Sequence, residues 1–261
     1  GGPTPDRRRG SSCNWCSPRD KSYRRMSWKE AKRLGAASQD PAVTFLFLLP
    51  LALIHLSGWK LAKSGAFSLV ESVFRWFGSP AYWVLGITLA VFCLWAIGRI
   101  REQGLAWRGG SALIFLEGLL WGVALGPVLQ LLMEQIPLIM QDGGGSVPTL
   151  HGALALAAGA GLYEELLFRA VLLGGLFILL KAGFYSIGWR EAGPIISLVL
   201  AFVVSSALFA FAHTWGNPSA MDTVPLIYRF LAGILLGILF SFRGLAVVAW
   251  AHASYDALLI L

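Results

Sequence analysis

The sequence predicts an all-α fold, a polytopic transmembrane bundle of about seven helices. Three observations predict it. Hydrophobic residues make up 56% of the 261-residue chain and charged residues 13%, against about 45–50% and about 25% in soluble domains. Mean hydropathy is +0.66. Seven apolar stretches, at 42–59, 81–98, 111–133, 150–182, 194–213, 225–241 and 245–261, reach or approach the ~20 residues a helix needs to cross a ~30 Å hydrocarbon core. This balance argues against a soluble enzyme, a disordered chain or a nucleic-acid-binding domain. The partners to expect from composition are membrane lipids, with no nucleic acid.

The chain divides into three parts: a basic arm at 1–33, membrane helices over 34–149 and a helical core over 150–261. The arm holds ten basic residues against three acidic ones and so carries the whole net charge of +7. The arm reads as disordered, with no helical or strand period over 1–25, and a basic arm before an apolar span is a positive-inside anchor, able to touch anionic lipid. The N-terminus is therefore placed in the cytoplasm. Within the arm, Cys13 and Cys16 form a lone CxxC. A zinc or redox site needs a second pair or a supporting βαβ unit. Cys93, in an apolar run, reads as a small buried hydrophobe.

The first stretch, 42–59, lacks a small-residue cleavage site and reads as an uncleaved anchor. With the N-terminus inside, 99–110 and 181–193 fall in the cytoplasm, and 134–149 and 214–224 outside. The segment after the first span breaks the charge rule with Lys60, Lys63 and Arg75 against Glu71. Phe67, Val70, Val73, Phe74 and Phe77 fall there at helical spacing, as in an interfacial amphipathic segment. The fourth stretch is too long for one simple crossing and must protrude or bend at Gly174-Gly175. Gly233-xxx-Gly237 in the sixth suits close helix packing. The seventh ends abruptly at Leu261, which leaves room for an eighth helix in a longer chain. No repeat of fixed period occurs.

Ionisable residues inside such spans are costly, and each one is a functional candidate. They are Glu117, then Glu164, Glu165 and Arg169, then His213, then His252 and Asp256. His55 and His151 lie near span ends, where an interfacial histidine satisfied by water is expected. Glu165 and Arg169 stand at i and i+4 with the acid first, the favourable ion-pair order. Glu164 lies about 100° round the helix and lacks this partner, so one acid is locked and the other is left to act as a general base or acid. His252 and Asp256 share the i, i+4 spacing, as do Phe209 and His213, and a carboxylate there can orient an imidazole. Glu, His, His and Asp on three helices fit a water-activating site. They also fit a Zn²⁺ site, with Glu164, His213 and His252 as candidate ligands. Depth raises one conflict: Glu164 lies about 21 Å beyond Leu150 and His213 about 28 Å beyond Pro194. Approached from opposite faces, these do not meet in a ~30 Å core.

The motifs Glu164-Glu165-xxx-Arg169, Phe209-xxx-His213 and His252-xxx-Asp256, in this order on successive apolar helices, resemble those of the CPBP (Abi) family. That family includes type II CAAX prenyl endopeptidases and bacteriocin-processing or immunity proteins. The resemblance covers roughly 150–261. It implies a glutamate-dependent intramembrane endopeptidase in a bacterial cytoplasmic membrane. On that analogy, catalytic Glu164 and His213 activate a water, Arg169 holds Glu165, and His252 with the residue at 256 stabilises the oxyanion; Phe209 supports the site. No cofactor is required on this reading, with Zn²⁺ the alternative carried by the family's metalloprotease descriptions. The substrate implied is a prenylated or leader-like peptide. Asp256 departs from the family's Asn case, because an ionised Asp donates nothing. It must be protonated, orient His252 or help with water. Two other classes stay open: a non-catalytic immunity or scaffold protein, and a proton-coupled transporter, for which no half-helix pairs or inverted repeat are present.

Overall fold

A computed structural model describes residues 39–58, 76–102, 107–133, 149–214 and 222–261. The arm with its CxxC, the segment around Phe67–Phe74, Glu134 and Asp142 lie outside the described residues. Among the described residues every regular element is helical. The helices are α1 (Pro41–Gly58), α2 (Ser79–Glu102), α3 (Trp107–Leu132), α4 (Leu150–Ser186), α5 (Ala192–Ala212) and α6 (Thr223–Ile260). All but α2 are long and apolar enough to cross a membrane, α3 over Ala112–Leu132. The polytopic bundle expected from composition is the fold observed.

The sixth and seventh apolar stretches form one helical run, broken only at Gly244. There φ is +80°, a left-handed conformation that glycine adopts without steric cost. The first limb of α6 lies before that break and the second after it. The second limb occupies the centre of the bundle, with Ala246, Val247, Val248 and Ala249 wholly buried. Core residues from α1, α2 and α3 (Val43, Ala96, Ile114, Leu129) pack around it. Its other side meets Leu51 of α1 with Ala158 and Leu162 of α4.

Charged and polar contacts gather at the break. The Arg243 Nε–H donates to Glu117 Oε2 of α3 at 3.1 Å, so Glu117 is a structural ion-pair partner. The Gln39 amide donates to the Phe242 carbonyl at 2.6 Å, covering an acceptor that the broken turn leaves over. Nearby, Arg99 at the end of α2 pairs with Asp40 at 3.1 Å. Cys93 is a free, half-buried thiol rather than a buried one.

Helix α4 starts from a Thr149 N-cap, whose Oγ1 accepts the Gly152 N–H. It runs 37 residues, about 55 Å, and so exceeds the core thickness. It does not bend at Gly174-Gly175, where the backbone stays helical. Its irregularity lies earlier, in two π-helical stretches, Ala160–Glu164 and Leu166–Leu173. A short turn then reverses the chain. Gly188 has φ +87°, Phe184 stacks on Trp189 at 5.7 Å, and the Trp189 N–H donates to the Phe184 carbonyl. In the first limb of α6, Gly233 and Gly237 face Ser206 and Phe202 of α5 closely enough that a Cβ would stand 3.0 Å from each, the packing expected of that motif.

Candidate active site

The α4–α5 hairpin removes the depth conflict. Glu164 lies 22 residues before Ser186 and His213 lies 21 residues after Ala192. At 1.5 Å per residue both stand about 32–33 Å from the turn, and so at one level. Glu164 Oε2 is 3.3 Å from His213 Nε2. The other ring nitrogen, Nδ1, is 2.8 Å from the Phe209 carbonyl. A carbonyl only accepts, so Nδ1 carries a hydrogen. Nε2 therefore faces Glu164 either with a lone pair or, in the imidazolium, with a second proton. The glutamate is buried and the histidine about one-third exposed.

The adjacent Glu165 faces another helix. It is wholly buried, and its Oε1 lies 2.9 Å from Arg169 Nη1, the i, i+4 pair the spacing predicted. The same oxygen accepts the His252 Nδ1–H at 2.6 Å. Glu165 is therefore more than a lock: it joins Arg169 to the histidine of α6 and fixes that ring's orientation. His252 Nε2 then stands 3.5 Å from Asp256 Oδ2, beyond an ordinary hydrogen bond. Asp256 is the most open of the three carboxylates, with its side chain 24% exposed.

Phe209 stands among these groups. The Arg169 guanidinium lies over its ring at 4.3 Å from the centroid, a cation–π contact. Its ring meets His213 at 4.7 Å, His252 at 5.9 Å and Phe168 at 5.2 Å. The motif residues on α4, α5 and α6 thus converge.

Small residues allow the convergence. A Cβ on Gly161 would stand 2.5 Å from the Ala249 carbonyl oxygen and 2.7 Å from Ala253 Cβ. Glycine there lets α4 approach the second limb of α6 closely enough for Glu165 to reach His252. The first π stretch ends on Glu164, and Glu165 is the single residue between it and the second, in keeping with the frequent placement of π-bulges at functional sites. Ser205 of α5, buried, donates to the Phe168 carbonyl at 3.0 Å inside the second π stretch.

Among the described residues no three His, Cys, Asp or Glu side chains are grouped to hold an ion. His213 and His252 direct their ring nitrogens at different carboxylates. Of the two span-end histidines, His151 is exposed, with Nε2 3.4 Å from Ser57 Oγ, as expected. His55 is not satisfied by water: it is wholly buried and bonded to α4. Sequence reading also missed the contact between the Tyr228 and Tyr255 hydroxyls, which joins the two limbs of α6. Nothing in the local spacing marks either feature.

Residues 146–258 match the family described as type II CAAX prenyl endopeptidase Rce1-like. The match contains all three motifs and supports the CPBP family membership that they indicated. It also supports protease activity and, with the five apolar helices, an integral membrane protein. No curated protein and no solved structure matches the chain.

Proposed function

We propose that this chain, Rce1-like over its C-terminal part, is an intramembrane endopeptidase that cleaves with a water activated by Glu164 and His213. The 3.3 Å approach of these two side chains from separate helices is the observation that carries the reading. A water resting against both gives up a proton to the pair, and its oxygen attacks the peptide carbonyl carbon. The carbonyl electrons move to oxygen. His252, as the imidazolium with a hydrogen on each ring nitrogen, meets the developing charge with its Nε2–H, while Glu165 holds the ring through Nδ1–H and Arg169 holds Glu165. When the intermediate collapses, the C–N bond breaks and the leaving nitrogen takes the proton stored on the Glu164–His213 pair. Asp256 steadies the Nε2 side of His252; the 3.5 Å gap leaves that N–H unengaged and available to substrate. Phe209 supports from both ends, its carbonyl fixing the His213 tautomer and its ring covering Arg169.

No step in this scheme uses a metal. Prenylated C-terminal peptides and leader-like peptides are the substrate classes to try first, in a bacterial cytoplasmic membrane with the N-terminus inside. The test compares membranes holding the wild type or Glu164→Gln at matched levels. New N-termini and released peptides are read by mass spectrometry, with and without a chelator. Fragments that vanish in the variant and survive the chelator are expected. Loss with the chelator would replace the water–carboxylate scheme with a metal-assisted one. Identical peptide pools with a retained cellular phenotype would favour a non-catalytic immunity or scaffold role.

A further inference from the structure

We propose that His55 of α1 is a positioning residue for the two glutamates, although it lies outside the matched segment 146–258. The inference rests on the hydrolytic reading above. His55 is a wholly buried polar residue in a membrane helix, a costly placement that calls for a specific partner. Its Nδ1 lies 2.9 Å from the Ala155 carbonyl, so that nitrogen carries a hydrogen and donates it. The ring fills the space left by the missing side chain of Gly159, where a Cβ would overlap Nδ1 and Cε1. It also meets the Tyr163 ring edge-on at 5.3 Å.

Ala155, Gly159 and Tyr163 are spaced by four and lie along one face of α4. Gly159 is the residue at which α4 passes from α-helix to the π stretch Ala160–Glu164, and Tyr163 directly precedes Glu164. His55 therefore grips α4 on both sides of the point where the helix changes its winding. The angular position of Glu164 and Glu165 depends on where that change occurs, because each π turn rotates every later side chain relative to an α-helix. A side chain that reaches the backbone ladder of a helix is a recognised cause of local distortion. Through this contact α1 sets the direction of both acids without touching the reacting atoms.

The expected signature of His55→Ala is a kcat lower by roughly 10²-fold, the order of effect of a misplaced catalytic group, with KM little changed. His55→Asn, which keeps an N–H donor, recovers part of the rate. Gly159→Ala, which collides with the ring, imitates the loss. Adding it to His55→Ala refills the space without restoring the hydrogen bond, so packing returns and rate does not. A second readout is independent of turnover. Backbone hydrogen exchange, followed by mass spectrometry on the full-length protein in detergent, accelerates over 159–166 in His55→Ala and stays unchanged over 192–212.

Unchanged kcat per folded molecule, or exchange that rises equally across α4 and α5, would overturn the proposal and leave His55 a packing residue. A wild type with no Glu164-dependent cleavage would count against the hydrolytic reading instead. The local exchange pattern would then still decide whether His55 holds the π stretch.

Discussion

Replacing Gly161 with alanine tests the close approach on which the site depends. The added methyl would stand 2.5 Å from the Ala249 carbonyl oxygen, 2.7 Å from Ala253 Cβ and 2.8 Å from Ala253 N. Two of these are backbone atoms of the central limb of α6, and none belongs to a flexible side chain. Restoring an ordinary contact of 3.4 Å requires α4 and α6 to separate by about 0.9 Å along that direction. The 2.6 Å bond from His252 to Glu165 would lengthen towards about 3.5 Å and cease to orient the ring. Overpacking of this kind costs about 1–3 kcal/mol, and a displacement near 1 Å costs about 10²-fold in rate. Gly175→Ala is the control on the same helix: nothing lies within 4 Å of its Cβ position. It should gain up to about 1 kcal/mol from helix propensity. The assay is thermal unfolding in detergent, with cleavage measured against a Glu164→Gln background. If the two alanine variants unfold together and cleave equally, the close α4–α6 contact does not hold the site.

Two further predictions concern charge. Arg169→Met leaves the Glu165 carboxylate buried with His252 as its remaining partner, and should cost about 3–5 kcal/mol. Adding Glu165→Gln should recover part of this; a loss below about 1 kcal/mol in urea or thermal unfolding would show that Arg169 is not needed to compensate Glu165. At the bundle edge, burial pushes the Asp40 carboxyl up. The Arg99 guanidinium and the Ala42 N–H outweigh that and hold it below the usual carboxylate range. Its contribution is therefore present above the unfolded value of about 3.9, and is lost as pH falls through the lower folded value. Asp40→Asn should remove a few tenths of a kcal/mol of that acid-limb dependence, and added salt should shrink the difference. Parallel acid limbs in wild type and variant would remove the pair from the account.

The parts legible in the sequence are those encoded locally. Apolar runs marked the helices, and the i, i+4 spacings placed Glu165 with Arg169 and His252 with Asp256 on single faces. What connects one helix to another left no such trace. The Glu165–His252 bond spans 87 residues and that of His55 with Ala155 spans 100. A histidine three residues from the end of α1 looks interfacial when the neighbouring helix is unknown. The depth conflict arises from setting Leu150 and Pro194 at opposite membrane surfaces. The tight turn at Gly188 is the better reference for both helices. The π turns were invisible because no residue type demands them; they follow from contacts made on α4 by α1, α5 and α6.

The matched segment 146–258 contains every proposed catalytic side chain, yet it does not complete the arrangement that holds them. Helix α1 and the two residues before it touch that segment at three levels. Gln39 donates to the Phe242 carbonyl at the break in α6. The Phe47 carbonyl accepts the Trp250 Nε1–H at 2.9 Å, two residues from His252. His55 donates to the Ala155 carbonyl before the π stretch. The His55 contact is buried and the Trp250 contact part-buried, and a buried polar group left without its partner costs about 1–3 kcal/mol. Losses of that size are comparable with a large share of a whole domain's stability. They would fall on the two helices whose separation sets the Glu165–His252 distance. Physically, the proposed reactive unit is therefore the bundle braced by α1, and the three motifs are its inner surface.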